Sequence, residues 1–349
     1  MLTKYKLAPQ TKFYDSMDAN WKPFIMFSQF PNVRSKFCNT DINGLRFNNF
    51  QEKNTQTSIF EEKIDKEKKT GIIVGNSFAF GEGSTNDKYT ISNYLSEKTN
   101  SHYYNLCGRG FSGFQEITNF FLHLNHLKKL DKIIVISGCN DAFLPYLDIN
   151  HENYLEPTHG YKLFKSSMDK AARGWKNKTL KLIFGSFFKK TNWSRINSLN
   201  WKDEIFKKET ISYKNKPSDP NEHLSLIIDN NIRLWSIISQ GMNIDISYVL
   251  QPVGSWSKKK LTDEEKKLFS EEILIEGQDR IYKHIDFKKY NLIKSILEHS
   301  TKKYKINFLD LNAHFNNEKY NNEWLFLSRF HFNDVGNKHL SSYLISKLF

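Results

Sequence analysis

Apolar residues in this chain fall into short unbroken runs separated by stretches in which they recur every three or four positions. Gly71-Ile-Ile-Val74, Asp131-Lys-Ile-Ile-Val-Ile-Ser137, Ile244-Asp-Ile-Ser-Tyr-Val-Leu250 and Ile306-Asn-Phe-Leu-Asp-Leu311 have the length and composition of buried strands. Tyr103-Tyr-Asn-Leu-Cys107 is a shorter, more polar run of the same kind. Between them, Tyr89–Asn100, Gln115–Leu127, His223–Gln240 and Asn337–Leu348 carry helical spacing. Strand and helix alternate from Gly71 to Leu147, which predicts an α/β fold: a three-layer αβα sandwich around a mostly parallel sheet.

Two stretches interrupt this pattern. Residues 1–66 precede it and read as an N-terminal extension packing on the core, with Trp21–Phe27 as a short strand or packed loop and Phe30–Arg34 as turn. Glu52–Lys69 is polar and heavily charged and reads as a linker or exposed helix. Residues 148–220 are too long for a βα connection and predict a helical insertion or lid within the 67–349 domain.

The strand ends carry the candidate chemistry. Gly75-Asn76 turns the chain after the first run and leaves the Ser77 hydroxyl at a strand's carboxyl end, where open α/β sheets bind ligands. A small residue also suits that turn for steric reasons alone. Gly108-Arg-Gly110 and Gly138-Cys-Asn-Asp141 follow the next two runs, so a backbone N–H and the Asn140 amide converge near Ser77 if the strands are neighbours. Acyl transfer needs such donors where negative charge develops on a carbonyl oxygen. His331, in the turn-like Ser328-Arg-Phe-His-Phe-Asn-Asp334, is the candidate base.

The order Ser, Gly, Asn, His resembles the SGNH (GDSL-like) hydrolase superfamily, a flavodoxin-like α/β fold. The resemblance implies Ser77 as nucleophile, Gly110 or else Gly108 as backbone oxyanion donor, Asn140 as side-chain donor and His331 as base. The carboxylate of the family's Asp-x-x-His block falls on Ser328, which brings no charge. Three readings stay open: a Ser77–His331 dyad, a carboxylate from elsewhere such as Glu323 or Asp334, or a degenerate site that only binds. Asn39-Thr-Asp-Ile-Asn-Gly-Leu-Arg46 and Gln251-Pro252 resemble segments of members associated with bacterial surface glycans. That likeness offers Arg46, Gln251 and Trp256 as substrate contacts, although Arg46 equally suits an ion pair with Glu52 or another carboxylate. The activity implied is a serine esterase or deacetylase removing small O-acyl groups, chiefly acetyl, from a carbohydrate or glycan precursor. Transfer of an acyl group to a surface glycan is the alternative within the same chemistry.

Composition narrows the partners. The net charge of +13 favours anionic surfaces, and the Lys- and Arg-rich stretch 161–190 suits peripheral contact with an anionic membrane. Nucleic acid is a weaker partner, because no recognised module accompanies the basic residues. Three cysteines, Cys38, Cys107 and Cys139, are too few for a disulfide framework, and their neighbours mark Cys107 and Cys139 as buried thiols. Neither a metal nor a cofactor is expected. No signal-like or membrane-spanning run is legible, so a cytoplasmic setting, or the inner face of the membrane, is the default expectation.

Overall fold

The computed structural model describes residues 3–17, 20–48, 58–60, 68–127, 129–142, 219–273, 281–282 and 284–349. The basic stretch 161–190, nearly all of the expected 148–220 insertion and Glu52 lie outside them.

A small antiparallel hairpin, β1 (Asn20–Lys22) and β2 (Met26–Ser28), precedes the main sheet. The sheet contains β3 (Thr70–Gly75), β4 (His102–Asn105), β5 (Lys132–Ser137), β6 (Asp245–Leu250) and β7 (Asn307–Asp310), in the order β4-β3-β5-β6-β7 with every pair parallel. Successive residues of one strand serve opposite faces. Ile72, Val74, Ile133 and Val135 face the helices Gly113–His123, Pro220–Met242 and Phe287–Tyr304. Ile73, Ile134 and Ile136 face Ser77–Phe80, Ile91–Thr99 and Asp334–Leu348. Both faces of the sheet are covered, which is why the strands read as continuous apolar runs. The result is the expected αβα sandwich.

The spatial order reverses between β3 and β5. In open α/β sheets that reversal opens a crevice at the strands' carboxyl ends, and here it lies directly beside Ser77.

Residues 39–48 run against the sheet edge, where Arg46 bridges Asn105 of β4 in antiparallel fashion. Asn39, Asp41, Arg46 and Asn48 are all buried. Asn48 Nδ2 donates to Tyr103 O at 2.6 Å, and Asn39 Nδ2 to Asp87 Oδ2 at 2.6 Å. These polar side chains pair the backbone and carboxylate groups that the edge strand would otherwise leave open.

Glu116 and Asp141 form a buried acidic pocket beneath the third strand end. Ser137 Oγ donates to Glu116 Oε1 at 2.7 Å, while Glu116 Oε2 has no hydrogen-bond partner among the described residues. Gly113 N donates to Asp141 at 3.0 Å. Burial first, and the neighbouring Asp141 second, push the Glu116 carboxyl well above its ordinary 4.5. Asp141 is itself pushed up to about 6 by burial. A carboxyl raised in this way keeps a proton that the unfolded chain has released. Its stabilising contribution is therefore full below the unfolded value and is lost as pH rises toward the folded one. Glu116→Gln should flatten the fall of stability above pH 4.5 by up to about 1.4 kcal/mol per pH unit and leave the variant more stable than wild type at pH 8. Urea unfolding at several pH values measures this; an unchanged slope would contradict it.

Candidate active site

Ser77 opens the short Ser77–Phe80 helix, capped by Asn76, whose side chain accepts from Phe78 N at 3.0 Å. The turn demands glycine at position 75. A Cβ there would lie 2.3 Å from Ile136 O and 2.6 Å from Ala79 Cβ, so only a bare backbone passes between β5 and the new helix. Asn76 Nδ2 in turn donates to Gln251 Oε1 at 2.5 Å, bracing the turn from the end of β6.

The base comes from the other end of the sequence. Phe326 and Phe332 form an antiparallel bridge, and Leu327 N donates to His331 O at 2.9 Å, closing a tight loop. Glu265 Oε1 accepts from Leu325 N and Phe326 N at 2.9 and 3.0 Å, while its other oxygen takes Lys259 Nζ at 2.6 Å in a fully buried ion pair. Glu272 holds Arg329 from the same Asp263–Glu272 helix. Phe332 packs edge-on against Phe78 with centroids 5.3 Å apart, joining the base loop to the nucleophile helix.

With these supports His331 Nε2 meets Ser77 Oγ at 2.9 Å. On the far side, His331 Nδ1 meets Ser328 Oγ at 2.8 Å. The Ser328 oxygen also accepts from Phe330 N at 3.2 Å and His331 N at 3.0 Å. Burial draws the His331 pKa below the ordinary 6.5, opposed by the nearby Glu82 carboxylate and reinforced by Arg109. A lowered value favours the neutral imidazole, in which one ring nitrogen carries hydrogen and the other accepts.

The oxyanion candidates lie on adjacent strands, with β4 and β5 flanking β3. Gly108 N is already committed to Gly75 O at 2.9 Å, which leaves Gly110 as the glycine candidate of this loop. Gly110 has φ +72, a conformation that favours glycine, and the Phe27 ring would lie 3.2 Å from any Cβ placed there. Asn140 spends one amide N–H on Phe111 O at 2.7 Å, tying the two loops together. The amide carries a second N–H.

Several expectations are corrected. Neither Glu323 nor Asp334 orients His331: Glu323 pairs with His339 at 2.8 Å, and Asp334 accepts from Thr85 N at 3.0 Å. Arg46 is 1 % exposed and pairs through Nε with Asp87 at 2.9 Å, while Nη1 donates to the carbonyls of Phe80 and Gly81 and Nη2 to that of Phe37. Four of its five N–H groups are thus spent on the framework, in a side chain too buried to meet a substrate anion. Gln251 is buried, braces Asn76 and gives its carbonyl to Asn312 at 3.0 Å. Trp256 is fully buried in the core against Tyr290. Asn105 and Ser112, on either side of the glycine loop, are also buried, Ser112 as a helix cap.

The sequence pattern does not single out Glu82 or Arg109. Arg109 Nε donates to Glu82 Oε2 at 2.7 Å, linking the loop after the nucleophile helix to the glycine loop. Opposite charges inside two loops expected to meet are the signal that would have found them.

No family model and no curated protein matches the chain. Among solved structures, an acetyl xylan esterase aligns over 80% of this chain and 100% of its own, at 12% identity and a TM-score of 0.38. A lipase/acylhydrolase from Enterococcus faecalis aligns over 80% and 95%, at 11% identity and a TM-score of 0.42. The aryl esterase of M. smegmatis aligns over 80% and 98%, at 9% identity and a TM-score of 0.42. Among the described residues no helix is long and apolar enough to cross a membrane.

Proposed function

We propose that the chain is an SGNH-type serine ester hydrolase that removes small acyl groups, acetyl in the first place, from a carbohydrate. The observation that carries this reading is the continuous contact from Ser77 Oγ through the His331 ring to Ser328 Oγ, at 2.9 and 2.8 Å. Ser77 Oγ attacks the ester carbonyl carbon and His331 Nε2 takes its proton. The tetrahedral oxyanion is held by Gly110 N–H and the second N–H of Asn140. The protonated imidazole then returns the proton to the leaving sugar oxygen, and water, deprotonated by the same nitrogen, releases the acid from the acyl-serine. The carbohydrate part of the reading draws on the likeness of the Asn39–Arg46 and Gln251-Pro252 segments to glycan-associated members. Both segments serve here as framework around the site.

Turnover of an acetylated sugar, with an acetyl adduct on Ser77 seen by intact-protein mass at short times, is the expected result. Acetyl found on an added sugar acceptor in place of free acetate would turn the reading to acyl transfer. Absence of any Ser77-dependent adduct or product with a panel of acetyl esters would replace the enzyme by a binding protein. Because burial lowers the base, the acidic limb of kcat/KM should lie below roughly 6.5. An acidic limb well above that value would contradict the assignment of His331.

A further inference from the structure

The ring of His331 faces four charges. Lys4 and Asp15 come from the N-terminal helices Thr3–Leu7 and Gln10–Asp15, and are paired with each other at 2.7 Å. Glu82 and Arg109 are paired from the first and second loops. Lys4, Asp15 and Glu82 line one small crevice with Tyr14, Ser328 and His331, and its free volume of about 30 Å³ leaves room for water and little else. Asp15 sits at the exposed rim of this crevice, whereas the Glu82 and Arg109 side chains are largely covered, so solvent screens the Glu82–Arg109 pair less.

We infer that Glu82 supplies across this crevice the negative charge that Ser328 does not bring to His331, and that Arg109 sets how much of that charge the imidazole receives. Three observations support this. Glu82 is fixed relative to the nucleophile, its backbone N–H donating to Ser77 O at 3.0 Å. Its carboxylate is held rigid and ionised: Arg109 keeps it near 2 against the opposing effect of burial, and Arg109 is anchored on Tyr14 O and Met17 O at 2.9 and 3.0 Å. Of the charges facing His331, Glu82 acts on it most strongly, with Arg109, Lys4 and Asp15 following. Glu82 touches neither Ser77 Oγ nor a reacting atom. It is a positioning residue, acting on the imidazolium that forms when Ser77 gives up its proton.

The inference builds on the hydrolase reading, but its test is made on the resting protein. The titration of the His331 ring is followed by NMR, assigned with His331→Asn, in wild type, Glu82→Gln, Glu82→Asp and Arg109→Gln. Glu82→Gln should lower the His331 pKa by about half a unit to one unit, and Arg109→Gln should raise it. Glu82→Asp should restore most of the wild-type value. With an ester substrate, Glu82→Gln should lower kcat about three- to tenfold with KM unchanged. If Glu82 only ties loops together, both neutral variants lose stability alike and the ring titration moves in neither, or in the same direction in both; either result overturns the inference. Opposed shifts support it even if no ester is turned over, in which case the hydrolase reading alone falls.

Discussion

Ser77→Ala should lower the hydrolysis of a short-chain aryl or sugar acetate by on the order of 10³-fold or more, leaving only what the oxyanion donors and binding achieve without a nucleophile. The substitution is structurally mild. Ser77 Oγ has its one described hydrogen bond with His331, and the helix start is capped by Asn76. The stability cost should therefore stay near 1 kcal/mol, and a circular dichroism melt close to that of wild type would separate lost chemistry from lost fold. His331→Ala should fall by a similar factor, and the double variant by little more, since the two groups act as one unit. Equal rates in wild type and Ser77→Ala would end the nucleophile assignment.

Ser328→Asp should act in the opposite direction and almost as strongly. The Ser328 oxygen takes two backbone N–H groups, from Phe330 and His331. A hydroxyl oxygen has two lone pairs, so its own proton is the group left to offer to His331 Nδ1. That arrangement favours the tautomer with hydrogen on Nε2, which cannot accept a proton from Ser77. The productive tautomer needs Nδ1–H donated to Ser328, in competition with those backbone donors. A carboxylate removes the ambiguity, because it only accepts, and it stabilises the imidazolium as well. Aspartate suits the same local turn, since Asx and Ser/Thr side chains accept from the backbone two residues on in the same way. The expected result is a 10²- to 10⁴-fold rise in kcat/KM near pH 7, with the acidic limb displaced upward. In that background Glu82→Gln should matter less than in wild type. Unchanged kinetics in a folded Ser328→Asp protein would show that tautomer choice does not limit the reaction.

How far the sequence discloses this protein depends on the range of the interactions involved. The strands of the parallel sheet are legible because burial on both faces leaves an unbroken apolar run, and the Thr262–Glu265 capping box and the Asn333 cap follow from local rules. Ser77 and His331 are legible as candidates because each sits in a recognisable turn. Their contact, across 254 residues, is a property of the fold alone. The pattern of glycines does not separate Gly108 from Gly110, since the difference is a single hydrogen bond to Gly75 O. Arg46, Gln251 and Trp256 look like surface chemistry in one dimension. In three dimensions each is buried, where a polar group is explained first by the backbone or carboxylate it pairs with. Glu82 is hidden for the converse reason: one acidic residue between two glycines carries no pattern, and its meaning comes from Arg109 and from the crevice behind the base.

The Asp334–Leu348 helix follows the base loop and returns to the opposite side of the sheet from the last strand, where Asn337 Nδ2 donates to Ser84 Oγ at 3.1 Å and to Tyr89 O at 3.2 Å. The segment that delivers His331 is thus clamped onto the segment that carries Ser77 by a helix made some 250 residues later in the chain. Synthesis runs from the N-terminus while a domain folds as a unit, so the sheet's first three strands and the nucleophile turn are made long before the base. A nascent chain halted before His331 has a serine and lacks the base that activates it. Esterase activity then becomes a timestamp: in a synchronised translation reaction it should rise only after residues 334–348 have emerged, later than any antibody epitope placed on the β3–β5 region.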